Sequence, residues 1–101
     1  MKLWIDDVRP APDPIEYIRC LSVNATKMMI IGCEGNGIEI ELIDIDHDAG
    51  DYASHGGDYI RLLDWLEETG RNYPIRIHSA NPVGVENMRR IIQRNGWKEI
   101  R

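Results

Sequence analysis

No apolar run in this 101-residue chain approaches the roughly 20 residues that a membrane-spanning helix needs. The opening MKLWIDDVRP lacks the long apolar stretch and small-residue cleavage site of a secretory signal, so cytoplasmic residence is expected. Cysteine is scarce: Cys20 and Cys33 have no metal-ligand spacing and no second pair. That removes a disulfide framework and a zinc site, and both thiols are expected to be reduced. Basic charge is short as well. Twelve Lys and Arg against 17 Asp and Glu leave a net charge of -5, which argues against a broad groove for duplex nucleic acid. It leaves room for one phosphate group, provided a metal or a local basic residue reverses the field. No Ser-His-Asp order is legible, and no glycine-rich phosphate loop with lysine is present.

What remains is an ordinary globular composition, 43% hydrophobic and 29% charged, of a length that suits one core. There are no internal repeats, low-complexity segments or linkers, so residues 1–101 are expected to form a single domain. KLWI (2–5) is a short apolar run that stops at Asp6-Asp7, as a buried strand ending at a rim would. RPAPDP (9–14) has three prolines and cannot be helical. IEYIRC (15–20) alternates and reads as an edge strand, either parallel or antiparallel. Ser22 is suited to cap a helix that Gly32 would stop. IEIELIDI (38–45) alternates with period two and is the clearest strand. AGDYASHGG (49–57) reads as an exposed, mobile loop. From Asp58, Tyr59, Leu62, Leu63 and Leu66 fall at i, i+3, i+4 and i+7, with Gly70 closing a helix. IRIH (75–78) is a strand, Asn81-Pro82 starts a helix that Gly96 stops, and WKEI (97–100) is a last short strand.

Strands alternating with helices imply an α/β sheet, mostly parallel, whose ligands bind beyond the carboxyl ends of the strands. Three strands end in polar clusters: Asp6-Asp7, Asp46-His47-Asp48, and His78-Ser79-Ala80-Asn81. All three would converge on one edge. Paired acids on adjacent strand ends suit a hard divalent cation that shares its shell with a phosphate. Asp6, Asp7 and Asp46 are the first ligands to name, with Asp48 either a further ligand or a loop cap. Asp44 is either a partner behind Asp46 or an exposed or salt-bridged side chain. His47 and His78 have the chemistry of general acid and base, or that of hydrogen-bonded structural residues. Ser79 and Asn81 precede a helix whose free amides form an anion site. Arg9 can take an oxyanion bidentately or pair with the acids.

With WIDDVRPAPD, IDHDAGD and HSANPVG in hand, the chain resembles the cyclic-phosphate processing receiver-like domain family, in order and over nearly its whole length. The resemblance implies a receiver-like, flavodoxin-like fold with strand order 2-1-3-4-5. This is a three-layer sandwich around a small, mostly parallel five-stranded sheet, its first helix replaced by the proline-rich connection and its last helix absent. It places Asp6 and Asp7 at the family's acidic pair and Arg9 at the arginine that follows. Asp46, His47 and Asp48 fall on its DHD motif, and His78, Ser79 and Asn81 on its HSAN motif. The CEGNG turn and the loop at 51–57 depart from the pattern without touching those residues. In the wider group of response-regulator receivers, Asp46 would stand at the phosphoacceptor position, but only Lys98 is near the place of their lysine.

The expected function is metal-dependent hydrolysis or ring opening of a cyclic phosphate on a nucleotide or RNA end. Asp46, His47 and His78 would be catalytic and Arg9, Ser79 and Asn81 phosphate-binding. Asp6, Asp7, Asp46 and Asp48 would hold Mg²⁺ or Mn²⁺. The alternative is a receiver-like phosphoacceptor or pseudo-receiver that binds or signals without nucleotide turnover. No membrane partner is expected.

Overall fold

A computed structural model describes residues 1–101. Its order is β1 (Lys2–Ile5), β2 (Tyr17–Cys20), α1 (Val23–Gly35), β3 (Leu42–Ile45), a 3₁₀ turn (Gly50–His55), α2 (Ile60–Glu68), β4 (Ile75–Ile77), α3 (Pro82–Asn95) and β5 (Glu99–Ile100). The five strands form one sheet in the order β2-β1-β3-β4-β5, and every pairing is parallel. This is the receiver-like, flavodoxin-like arrangement, and it settles β2 as parallel. No helix is long and apolar enough to cross a membrane.

From β2 onward the chain moves in one direction across the sheet, over three crossovers that each carry a helix. Right-handed crossovers in one direction put their helices on one face. The core agrees. Leu3, Ile5, Ile43, Ile45 and Ile75 from that face pack with Val23, Ile30, Leu62, Leu63, Leu66, Met88 and Ile92 from the helices. Each fully buried aliphatic contributes about 1.5–3 kcal/mol. The β1–β2 connection runs the other way and is the proline-rich segment. That segment carries no helix, and the opposite face is covered instead by side chains and by the chain after β1, where the Arg9 carbonyl accepts from Trp4 Nε1 at 2.8 Å. Across that face the register aligns Arg19, Trp4, Asp44 and Arg76 in one row.

Several boundaries differ from the sequence reading, each for a local reason. β3 begins at Leu42 rather than at residue 38, because the register sets Lys2 opposite Leu42 and leaves residues 38–40 beside no strand. β2 begins at Tyr17, since Ile15 is tied into a turn by Asp13, its N–H donating to Oδ1 at 2.8 Å. α1 runs through Gly32, which has an ordinary helical backbone, and the left-handed residue that breaks the chain is Gly37. Residues 50–55 form a 3₁₀ turn closed by left-handed Gly56 rather than an irregular loop, and none of them is buried. β5 is only Glu99–Ile100, with Trp97 buried before it.

Candidate active site

β1, β3 and β4 end side by side, so the residues after them share one edge. Carboxylate oxygens of Asp6, Asp7 and Asp46 lie within 4.8 Å of one another. The three acids are not equivalent. Asp6 is fully buried. Its Oδ1 accepts the Val8 and Arg9 backbone N–H groups, both at 2.9 Å, and its Oδ2 faces Arg9 Nε at 3.1 Å and His78 Nε2 at 3.0 Å. Burial alone would raise its pKa. The backbone donors of Arg9 and Val8, then His78 and the Arg9 charge, outweigh it and hold the carboxyl below its ordinary value. Arg19 Nε also donates to the Asp6 carbonyl at 3.1 Å. Asp46 keeps a side chain 13% exposed, with Oδ1 taking the His47 N–H at 2.8 Å and Oδ2 3.3 Å from Arg9 Nη2. Asp7 is half-buried and its carboxylate makes no hydrogen bond or ion pair. Gly50, with positive φ, lies against it where a Cβ would collide with Oδ2.

Tyr59 reports the field of this cluster from below. Burial first, then the charges of Asp7, Asp6 and Asp46, push its hydroxyl well above the usual range. It stays protonated and donates to the Leu21 carbonyl at 2.8 Å. It is a support, not an acid or a base.

The two histidines occupy different situations. His47 Nδ1 is 2.7 Å from Asp48 Oδ1, and its Nε2 has no partner. The ring lies over Gly84 so closely that a Cβ there would stand 2.5 Å from His47 Cγ. Asp48 is 61% exposed and lies against this ring, outside the group of three acids. His78 is stacked on Trp4, ring centroids 3.8 Å apart and planes at 3°. Its Nδ1 is 2.6 Å from Asp44 Oδ1 and its Nε2 faces Asp6, with the side chain only 8% exposed. Both its nitrogens are thus committed to carboxylates, and His78 stands behind Asp6.

Ser79 Oγ accepts the Asn81 N–H at 3.1 Å, and Asn81 Oδ1 caps α3 by accepting from Gly84 N at 3.0 Å. Pro82 has no N–H, and Val85's donates to the Asn81 carbonyl. In the first turn only the Val83 N–H stays unclaimed. The donors left unclaimed at this helix start are that N–H, the Ser79 O–H and the Asn81 side-chain amide.

Sequence reasoning named Asp44 as a partner behind Asp46 or a salt-bridged side chain but could not give its partners in the layer beneath. Asp44 is fully buried, and besides His78 it receives Arg76 Nη1 at 3.1 Å and Tyr17 Oη at 3.4 Å. Trp4 covers His78 and donates its Nε1–H to the Arg9 carbonyl at 2.8 Å. An acid inside β3, two residues before Asp46, was the one available signal, and only the register reveals its partners.

The cluster offers a divalent cation oxygen donors only. Oxygen donors alone suit a hard ion. Asp7 is free to ligate, and Asp46 Oδ1 engages only a backbone N–H. Asp6 already accepts two donors on each oxygen. Asp7 and Asp46 fit as direct ligands, and Asp6 fits only as a shared one.

Over residues 1–94 the sequence matches the family model of the cyclic-phosphate processing receiver domain, and the chain belongs to that family. Comparison with curated proteins and with solved structures gave no match.

Proposed function

We propose that this domain opens a cyclic phosphate on a nucleotide or RNA end, with Mg²⁺ or Mn²⁺ as cofactor. The observation that carries the reading is His47: Nδ1 held by Asp48, Nε2 free, and the ring fixed by Gly84 beside Asp46. A carboxylate on Nδ1 keeps the proton there and presents the Nε2 lone pair outward. That is the arrangement of a general base.

Arg9 is half-exposed and holds the acids through Nε and Nη2, which leaves Nη1 for a phosphoryl oxygen. The Ser79 O–H, the Asn81 amide and the Val83 N–H supply further donors. Water attacks phosphorus and gives its proton to His47 Nε2. As the new P–O bond forms, one ring P–O bond breaks, and the departing alkoxide takes the proton back from the imidazolium. The products are a phosphomonoester and a free hydroxyl. Asp7 and Asp46, with Asp6 shared, would hold the cation, which when bound offsets charge on the phosphoryl oxygens.

The phosphoacceptor reading has less support. Lys98 precedes β5, so it lies at the sheet edge opposite Asp46 and cannot pair a phosphoryl group there. The test is incubation with 2′,3′-cyclic and 3′,5′-cyclic nucleotides plus Mg²⁺ or Mn²⁺, read by phosphorus NMR. Conversion to a monoester that disappears in a folded His47→Gln variant is expected. Undiminished conversion by that variant, or no conversion of any cyclic phosphate, refutes the reading.

A further inference from the structure

A groove of about 430 Å³ opens at the end of β4 and runs beside α3, lined by Ser79, Ala80, Pro82, Val85, Glu86 and Arg89. Pro82, Val85, Glu86 and Arg89 stand at i, i+3, i+4 and i+7, one stripe along about 10 Å of helix. We infer that this groove is the nucleoside subsite of the reaction proposed above, on which it rests.

Three features favour a nucleoside. The first is continuity. Ser79 follows His78, whose Nε2 is 3.0 Å from Asp6, so the mouth of the groove adjoins the donors assigned to the phosphate. The second is size, which falls in the range of small-molecule sites and is too small for a folded partner. The third is the distribution of chemistry. Ala80, Pro82 and Val85 give an apolar floor for a flat ring. Around it stand polar atoms with capacity to spare. Arg89 spends only Nε, on Glu99 at 2.8 Å, and both its terminal nitrogens are unpaired. One Glu86 oxygen takes Arg90 at 3.0 Å and the other is free. A heterocycle with apolar faces and hydrogen-bonding edges matches this pattern, whereas a bare cyclic phosphodiester would leave it unused. The larger apolar groove around Met1, Met28, Met29 and Ile38 cannot serve instead. It opens beside Met1, just before β1, and Ile38, in the turn leading to β3, at the sheet edge opposite the acids.

The experiment is a two-dimensional amide NMR titration of the full chain with three probes: guanosine and cytidine 2′,3′-cyclic phosphate, free guanosine and cytidine, and glycerol 1,2-cyclic phosphate, which has no base. The cyclic nucleotides are expected to shift the amides of Ala80, Val85, Glu86 and Arg89 together with those near Asp46. The base-free probe should shift only the latter. Val85→Trp, which fills the groove, should weaken the cyclic nucleotides by about tenfold or more while the base-free probe binds as before. Ala80→Leu, on an exposed turn, gives the same comparison should the helix variant not fold. Groove shifts with the free nucleosides, and none near Asp46 with the base-free probe, would uphold the subsite and sink the cyclic-phosphate reading. Equal affinity for base-bearing and base-free probes, with silent groove amides, would overturn the subsite and leave the reading standing. Silence toward all three probes overturns both.

Discussion

Replacing Asp44 tests the layer that holds the site in place. Its carboxylate has no solvent exposure and three donors, which differ in what they lose when it goes. The Arg76 side chain is 41% exposed and finds water, so that pair is worth a few tenths of a kcal/mol up to about 1. Tyr17 Oη, at 3.4 Å, is at the long limit of a hydrogen bond and adds little. His78 is the decisive partner. It sits 2.6 Å away, 8% exposed, between a ring stacked on it and a second carboxylate, so it cannot turn to solvent. Removing the carboxylate leaves a buried ring N–H without its acceptor, which costs about 1–3 kcal/mol. Against a total of about 5–15 kcal/mol for a domain of this kind, Asp44→Ala is therefore expected to be clearly destabilised. Asp44→Asn keeps an oxygen that accepts from Nδ1 and loses only the charge assistance, about 1–1.5 kcal/mol. Urea unfolding of both variants measures this, and a double-mutant cycle apportions it. Coupling of Asp44 to His78 should reach at least about 1 kcal/mol, and coupling to Arg76 should stay below about 0.5. Stronger coupling to Arg76 than to His78, or an Ala variant costing under about 1 kcal/mol, would refute the reasoning.

Gly84→Ala sets a helix-propensity gain of up to about 1 kcal/mol against overpacking of about 1–3, because His47 Cγ is bonded to its own Cβ and cannot give way alone. A modest loss of thermal stability and a large loss of cyclic-phosphate turnover are expected, and full turnover would show that Gly84 does not set the His47 position. Asp6 is held below its ordinary pKa in the fold, so its contribution to stability is full above about pH 4 and drains away as pH falls through the folded value. Acid denaturation curves of Asp6→Asn should therefore lose slope in that range, and an unchanged slope would mean another group controls it. Mg²⁺ or Mn²⁺ at a hundredfold excess over Kd should add about 2.7 kcal/mol, read as a rise in Tm that Na⁺ at matched ionic strength does not give. The rise should vanish in Asp7→Asn and Asp46→Asn and persist in Asp64→Asn, whose carboxylate pairs with Arg61 on the surface of α2; an equal rise in all of them would remove the metal from the mechanism.

Element order and the edge that gathers the polar clusters were legible because they depend on properties local to each segment. KLWI, LIDI and IRI are runs of strand length, and the stripe of Leu62, Leu63 and Leu66 admits only a helix. Where the reading failed, the deciding fact was not local. Residues 38–41 alternate as well as any strand, yet Ile38–Ile40 lie beside no strand. Gly32 looks like a helix stop, yet a glycine ends a helix only by turning left-handed, and that residue is Gly37. The same limit applies to the site. Asp6, Asp7 and Asp46 could be named from their places after strands. The roles of Asp44, Asp48 and His78 depend on what stands opposite: Asp44 beside Arg76 in the register, Asp48 against the His47 ring, and His78 against Trp4.

The uneven engagement of the three acids bears on how such a cluster persists in one fold. Three carboxylates within 4.8 Å repel one another, and the nearest offset is Arg9, which bridges Asp6 at 3.1 Å and Asp46 at 3.3 Å. Asp6 needs no further cation, since four donors surround it. Asp7 has none, and Asp46 Oδ2 has only the guanidinium. A divalent cation would be held by Asp7 and by the Asp46 oxygen that Arg9 does not use. In the proposed reaction Nη1 takes the phosphate while Nε and Nη2 stay on the two acids, so Arg9 ties the anion to the carboxylate cluster. Arg9 keeps its Nε on Asp6 throughout, which explains why the buried acid is the one that holds it twice through backbone N–H groups and once through the side chain. Asp6 anchors the arginine, and the arginine's free end is what the substrate and Asp46 share.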